Sequence, residues 1–168
     1  LNFFDHFIKK EVGLKYYGRY VDDMIFIHND KQFLLALIPK IEEWLTVEVG
    51  LQVHPKKIYL QHYTKGVLFL GHYIKSYRNY VGNRTKGNFY DAIKEINKTL
   101  LSKPKITYSF LAQIRAVVNS YLGFCIHTSS FNLRKKIIGE LNPLLFKYFY
   151  VAKGYKKVSM YKWCKQLT

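Results

Sequence analysis

Apolar and aromatic positions predict a helix followed by a hairpin at the start of the chain. The first twelve residues follow helical spacing, and the apolar positions of that stripe are Leu1, Phe3, Phe4, Phe7, Ile8 and Val12. Gly13 is expected to end this helix. Residues 16–20 and 24–28 are rich in β-branched and aromatic side chains, which predicts two strands joined by a tight turn. Because the second strand has no polar face from Met24 to Ile27, we expect it to be covered on both sides.

Helical spacing returns after Asp30, which offers a helix cap, and it continues to Gly50. Its apolar stripe consists of Leu34, Leu37, Ile38, Ile41, Trp44 and Leu45. Pro39 lies inside this pattern, so the helix either kinks there or begins near it. Three further segments predict strands of a small antiparallel sheet, at residues 51–53, 58–62 and 67–74.

Beyond residue 77 the pattern becomes helical. A polar, basic connector spans residues 78–87, which predicts a domain boundary near residue 80. Helices are expected at residues 88–101 (ending before Pro104), 108–121 (ending at Gly123), 132–141 and 143–151, and a basic tail follows. The sequence therefore predicts an α+β protein whose residues 81–168 are all helical.

Composition supports a folded chain that does not enter a membrane. Of 168 residues, 49% are hydrophobic and 17% aromatic, which is enough for a packed core. No apolar run approaches the length of a bilayer span, and no signal peptide is recognisable. Cys125 and Cys164 lack the spacing of a zinc site and are expected to be free thiols. These features predict a cytoplasmic protein without a membrane partner.

Charge is divided unequally along the chain. The formal net charge is +16, and residues 1–48 carry a net −2 whereas residues 49–168 carry a net +18. A field of this kind suits a polyphosphate backbone and predicts binding that weakens steeply with salt. The alternative is a basic surface that only confers solubility, but clustered cations among Tyr, Phe and Asn favour nucleic acid.

Two adjacent carboxylates, Asp22 and Asp23, lie where the predicted hairpin turns. One explanation is local, because Asp is favoured in turns where its carboxylate bonds nearby backbone amides. The other is functional, because a rigid hairpin can present carboxylate oxygens to Mg²⁺. Two such ions can stabilise the attacking and leaving oxygens of a phosphoryl displacement. The pair alone leaves both explanations open.

The run Tyr20-Val21-Asp22-Asp23 inside a hydrophobic hairpin resembles the palm signature of reverse transcriptases. In that family a helix follows, then a short strand with a downstream lysine, which residues 51–57 resemble. A Phe-Leu-Gly turn that grips the primer comes next, and residues 67–71 resemble it; a helical thumb then follows. The similarity extends in order over essentially the whole chain and is greatest to the bacterial group II intron-like branch. The segments closest to diversity-generating retroelement enzymes are 84–89, 119–123 and 133–136.

The resemblance implies an RNA-directed DNA polymerase that uses Mg²⁺, with residues 1–80 as the C-terminal part of the palm and residues 81–168 as the thumb. Its partners would be an RNA template, a DNA primer and deoxynucleoside triphosphates, with any accessory protein unknown. Family members hold their metals with a further palm aspartate, and both that residue and the fingers would lie upstream of Leu1. The chain therefore looks like a fragment that is inactive alone. A non-catalytic nucleic-acid-binding module and an intron maturase remain alternatives.

Individual roles also follow from the resemblance. Asp22 would ligate the metal directly and Asp23 would support it. Lys57, or alternatively Lys56, would serve as the acid for the departing pyrophosphate, unless it contacts phosphate or is only solvated. Tyr20 would support the hairpin and touch the primer end, or would simply pack.

A second group of residues would bind primer and template. Phe69, Leu70 and Gly71 would form the primer grip, or would otherwise be core. In the thumb, contacts to phosphate or 2′-hydroxyl groups are expected from several members of one set: Arg84, Lys86, Arg115, Asn119, Arg134, Lys135 and Lys136.

Overall fold

The computed structural model describes residues 2–102 and 105–167 and shows an α+β protein. Leu1 and Pro104, which enter the predictions above, lie outside these residues. The chain divides into two compact units, Leu1–His62 and Tyr63–Thr168. The predicted boundary near residue 80 differs from this division, because the strands before it pack against helices that follow it.

The first unit combines helices with one hairpin. Helix α1 (Asn2–His6) continues into a π-helical turn, Phe7–Glu11. Strands β1 (Tyr16–Tyr20) and β2 (Asp23–Ile27) pair antiparallel, and helix α2 (Lys31–Val49) follows. The core of this unit consists of Phe4, Ile8, Leu14, Leu37, Ile41 and Leu45.

Helix α2 follows its sequence signals closely. Asp30 caps it by accepting a hydrogen bond from the backbone N–H of Gln32 at 2.7 Å, and Gly50 ends it with a φ of 64°. The helix passes through Pro39 without ending. Local signals therefore place both ends of this helix.

Three expectations for this unit are wrong. Phe3 is exposed, because helical spacing turns Phe4 and Ile8 to the core and leaves position 3 outside. Ile27 is 51% exposed, because β1 and β2 form a sheet of two strands with only one face on the core. Residues 51–53 and 58–62 form no strand; a 3₁₀ turn, Pro55–Lys57, separates them instead.

Within its described residues, 63–102 and 105–167, the second unit contains a small sheet, three helices and a late hairpin. Strands β3 (Val67–Phe69), β4 (His72–Ile74) and β5 (Asn79–Val81) pair antiparallel in that order. The helices are α3 (Asn83–Ser102), α4 (Tyr108–Cys125) and α5 (Phe131–Gly139). A 3₁₀ turn (Pro143–Lys147), strands β6 (Phe149–Val151) and β7 (Val158–Met160), and a 3₁₀ segment (Lys162–Gln166) complete the unit.

The prediction of an all-helical C-terminal part is wrong at β6 and β7. Within this hairpin Phe149 and Val158 are buried, whereas Tyr150 faces outward, which is the alternation of a strand. The side chain of Asn119 in α4 also bonds both backbone groups of Val158, at 2.8 Å each. The core that this hairpin covers is built chiefly from Phe89, Ile93, Leu111, Val118, Leu122, Ile137 and Leu145.

Two glycines of this unit provide a stability test. A Cβ on Gly82 would lie 2.6 Å from the backbone oxygen of Gly71, so Gly82→Ala must displace backbone and is expected to lower the free energy of unfolding by about 2 kcal/mol. Gly87 lies in α3 with nothing within 4 Å of the position of a Cβ. Gly87→Ala should therefore raise the free energy of unfolding by about 0.5–1 kcal/mol. Denaturant unfolding measures the free energy of unfolding of both variants. Equal changes for the two would contradict the close approach of Gly82 to Gly71 and the open space at Gly87.

Candidate functional site

The two acidic residues lie at the tip of the first hairpin. Tyr20 pairs with Asp23, so Val21 and Asp22 form the turn. Val21 has a φ of 53°, which is unusual for a β-branched residue. The turn thus holds a sparsely populated backbone conformation, of a kind that persists only where its surroundings impose it.

Both carboxylates are exposed and uncommitted. In the part of the chain that the structure describes, the side-chain carboxylates of Asp22 and Asp23 have no hydrogen-bond or ion-pair partner. The local explanation for the acidic pair required bonds to nearby backbone amides, and these are not made. The chemistry of the pair is therefore available to a ligand.

Arg19 supplies the contact that stabilises this turn. Its Nη1 donates to the backbone oxygen of Val21 at 3.1 Å. Its Nε and Nη2 donate to the two carboxylate oxygens of Asp5 in α1, at 2.8 and 2.6 Å. Tyr17 donates its hydroxyl to Asp5 Oδ1 at 2.7 Å. A forked, charge-assisted pair of this kind fixes orientation, so the turn is tied to α1 through one side chain.

Asp5 and Arg19 were not among the residues predicted for this site. Their one signal is alternation: Tyr17 and Arg19 lie two residues apart on one face of β1, and Phe26 and Met24 oppose them in the register. That face packs on the core through Tyr17, Met24 and Phe26. An arginine on a core-facing position requires an acidic partner, and α1 provides one.

The contact also shifts the acidity of the groups involved. The hydrogen bonds from Arg19, reinforced by Tyr17 and opposed by burial, lower the pKa of Asp5 to about 2. Burial, together with the bond to Asp5, raises the pKa of Tyr17. The same bond raises the pKa of Arg19.

These shifts predict the acid stability of the first unit. An unfolded Asp5 takes up a proton near its ordinary pKa of 3.8, whereas the folded one does so at about 2. Asp5 therefore contributes stability above pH 3.8 that is lost as the pH falls through about 2. We expect Asp5→Asn to lower the midpoint of denaturant unfolding at pH 7, with a smaller difference from the unmodified chain at pH 2. Asp91→Asn, at an exposed ion pair with Lys94, is the control; a pH-independent deficit of Asp5→Asn would contradict the assignment.

The carboxylate pair fits part of a magnesium site. Mg²⁺ takes oxygen ligands and commonly uses one or two carboxylates together with water and substrate phosphates. No group of three or more His, Cys, Asp or Glu side chains that could hold a metal occurs within residues 2–102 and 105–167. Asp22 and Asp23 could therefore supply two ligands, and further ligands would have to come from other sources.

The lysines predicted to serve as a general acid belong to the same unit. Lys56 and Lys57 lie in the 3₁₀ turn Pro55–Lys57, which His54 caps by accepting the N–H of Lys56 at 3.3 Å. Both lysines are exposed. Their role in proton transfer stays a prediction.

The Phe-Leu-Gly turn predicted from the resemblance is present in the second unit. Leu70 and Gly71 both have positive φ, 50° and 76°, as the type I′ turn of a two-residue hairpin loop requires. Gly82 donates its N–H to the oxygen of Gly71 at 2.8 Å, and His72 stacks on Phe124 at 4.1 Å. Phe69 is half-buried and Leu70 is exposed. Their role as a primer grip remains untested.

The predicted thumb contacts separate into two groups. Arg84, Lys135 and Lys136 are exposed, and Lys86 and Arg115 are half-buried. Arg134 is only 6% exposed; its guanidinium donates to Ser130 Oγ at 3.2 Å and to the oxygens of Gly154 and Tyr155 at 2.8 and 3.1 Å. Asn119 is bonded to Val158 as described above.

Arg134 and Asn119 therefore have structural roles, and their predicted contact with nucleic acid stays a prediction that these bonds do not support. Each satisfies backbone groups within the second unit, because helices α4 and α5 pack against the late hairpin. Asn97 works in the same way, bonding Glu140 O at 2.7 Å and Asn142 N at 2.8 Å. The polar groups of these side chains already form hydrogen bonds with the backbone of the second unit.

Both cysteines are free, as predicted. Both are also buried, and burial raises the pKa of each thiol. Among the described residues no helix is long and apolar enough to span a membrane. Neither a family model nor a curated protein sequence matches this chain.

Proposed function

We propose that this chain forms part of an RNA-directed DNA polymerase and contributes one side of its metal site and a surface for the template–primer duplex. The observation that carries this proposal is the pair of exposed, uncommitted carboxylates on a turn that Arg19 stabilises. Turn chemistry does not explain the pair, and the resemblance to reverse transcriptases described above does.

Asp22 and Asp23 would hold Mg²⁺ in this proposal. Bound there, the metal would neutralise phosphate charge and stabilise the oxygens that attack and leave. Asp22 lies in the turn itself, whereas Asp23 begins β2 on the face it shares with Tyr20 and Ile25. The two carboxylates are therefore not equivalent, since one is carried by the turn and the other by the strand, and the resemblance implies a direct role for Asp22 and a supporting role for Asp23.

The remaining residues would position the substrate and manage its charge. Arg19 and Asp5 restrict the turn that carries Asp22, which limits the reorganisation needed when a phosphate binds. Lys57 or Lys56 would donate a proton to the departing pyrophosphate. The exposed cations Arg84, Lys135 and Lys136, together with Lys86 and Arg115, would bind the duplex backbone. The buried free thiols suit the cytoplasm.

The test is primer extension. A polypeptide that joins this chain to an upstream segment with fingers and a further palm aspartate should incorporate deoxynucleotides on a primed RNA template in the presence of Mg²⁺. The 168 residues alone should bind the hybrid duplex without extending it. Extension by the 168 residues alone would contradict the proposed division of the metal site.

A second candidate is a non-catalytic nucleic-acid-binding module. It is favoured by the net +18 of residues 49–168 and by the lack of a three-ligand cluster among the described residues. The same assay separates the two functions, because a binding module retains the duplex yet never extends the primer, whatever segment precedes it.

A further inference from the structure

The late hairpin has two unlike faces. Phe149 and Val158 are buried in the core of the second unit. On the other face Tyr150 pairs with Ser159, whose small side chain leaves the tyrosine ring open to solvent. The hairpin therefore covers the core with one face and presents aromatic rings on the other.

Four rings in this part of the chain form two contacting pairs. Tyr150 and Tyr161 have ring centroids 5.3 Å apart, and Tyr148 and Trp163 have centroids 5.5 Å apart. Three of the rings are substantially open, with exposed fractions of 47% for Tyr150, 41% for Tyr161 and 46% for Trp163. We call these three residues the aromatic platform.

Hydrogen bonds from other parts of the second unit hold the backbone that carries the platform. Asn119 bonds both backbone groups of Val158, and Arg134 bonds the loop at Gly154. Tyr161 donates its N–H to the oxygen of Tyr148 at 3.0 Å, and Cys164 is buried beside Trp163. Rings held in this way lose little freedom when a planar ligand stacks on them.

Charged side chains in the segment that carries the platform are all positive. After Glu140 the sequence contains no acidic residue. It contains six lysines, all exposed: Lys147, Lys153, Lys156, Lys157, Lys162 and Lys165. The ligand that these cations attract is a polyanion.

Rings and lysines together specify the class of ligand. A protein surface that alternates stacking rings with cations binds single-stranded nucleic acid, whose bases expose their faces while its phosphates meet the cations. A duplex keeps its base faces stacked inside, so it could use only the lysines. We propose that the aromatic platform binds single-stranded nucleic acid, a function separate from the carboxylate hairpin and from duplex binding by the helices.

The test uses the whole chain and a labelled oligouridylate of about 12 nucleotides, a length within the site sizes of comparable surfaces. Tyr161→Ala and Trp163→Ala are each expected to weaken binding about tenfold, corresponding to one lost base stack. Trp163→Tyr should retain most of the affinity because it keeps a ring. Tyr77→Ala, at a tyrosine 97% exposed elsewhere in this unit, is the matched control and should have no effect.

Fluorescence and a duplex separate stacking from charge. Binding of the oligonucleotide should quench the emission of Trp163, and Trp163→Tyr should remove that quenching even though Trp44 remains. A duplex of the same length should bind with an affinity that Tyr161→Ala leaves unchanged. Equal losses for duplex and single strand, or absence of quenching with folded protein, would overturn the proposal.

None of these measurements needs metal, triphosphate or primer extension. The platform could therefore fail while the polymerase proposal stands, and the reverse also holds.

Discussion

Asp22→Asn is expected to lower deoxynucleotide incorporation on a primed RNA template by about a thousandfold, in a polypeptide that carries this chain with an upstream palm segment. A metal at this position would contribute several kcal/mol to stabilising the transition state, and each 1.36 kcal/mol corresponds to about a tenfold change in rate. The amide keeps the size of the carboxylate but loses its charge. Because Asp22 is exposed and has no partner in the described part of the chain, the substitution should leave the fold intact.

Two comparisons make this result specific. Asp23→Asn should lower the rate of incorporation less than Asp22→Asn does, because the resemblance implies that Asp23 only supports the metal. Asp91→Asn removes an exposed carboxylate in the second unit, which pairs there with Lys94, and should leave incorporation unchanged. Binding of the hybrid duplex should be nearly equal for all three variants. Incorporation by Asp22→Asn at the unmodified rate would remove Asp22 from the metal site.

Arg134→Met is expected to lower the free energy of unfolding of the second unit by about 3 kcal/mol, since buried acceptors left without a donor cost about 1–3 kcal/mol each. The substitution leaves three acceptors without their guanidinium donor: Ser130 Oγ and the backbone oxygens of Gly154 and Tyr155. Methionine preserves much of the apolar volume, so the loss reports hydrogen bonds rather than a cavity. Denaturant unfolding at neutral pH measures it.

The neighbours of Arg134 provide matched controls. Lys135→Met and Lys136→Met remove exposed cations of the same helix and should change stability by less than about 0.5 kcal/mol. They should instead weaken nucleic-acid binding and reduce its dependence on salt. A stable Arg134→Met variant with weakened binding would reverse the roles given to these residues.

Elements with strong local signals were predictable. Asp30 and Gly50 mark the two ends of α2. The turn at Leu70-Gly71 was expected from the resemblance, whereas the apolar pattern predicted a single strand over residues 67–74, which was wrong. Helices α4 and α5 begin within a residue of their predicted starts. In each case a cap or a turn residue acts on backbone within a few positions of itself, so the information is local.

Predictions failed where a distant contact decided the outcome. Residues 143–151 carry a helical apolar spacing, yet Phe149 begins a strand because β7 pairs with it and Asn119 bonds Val158. Residues 58–62 have strand composition but meet no partner strand among the described residues. The same limit applies to Arg134, which composition does not distinguish from Lys135 and which the fold buries.

Residue patterns were enough to predict the α+β class, the carboxylate pair on a hairpin and the concentration of positive charge beyond residue 48. The contacts of Arg19 with Asp5, 14 positions away in the sequence, and of Asn119 with Val158, 39 positions away, become visible only in the folded chain. The physical reason is that spacing along a chain encodes which face of an element is apolar. It does not encode which polar groups form hydrogen bonds once those faces are buried. In the folded chain Arg134 is engaged in such bonds, whereas the carboxylates of Asp22 and Asp23 remain available to a ligand.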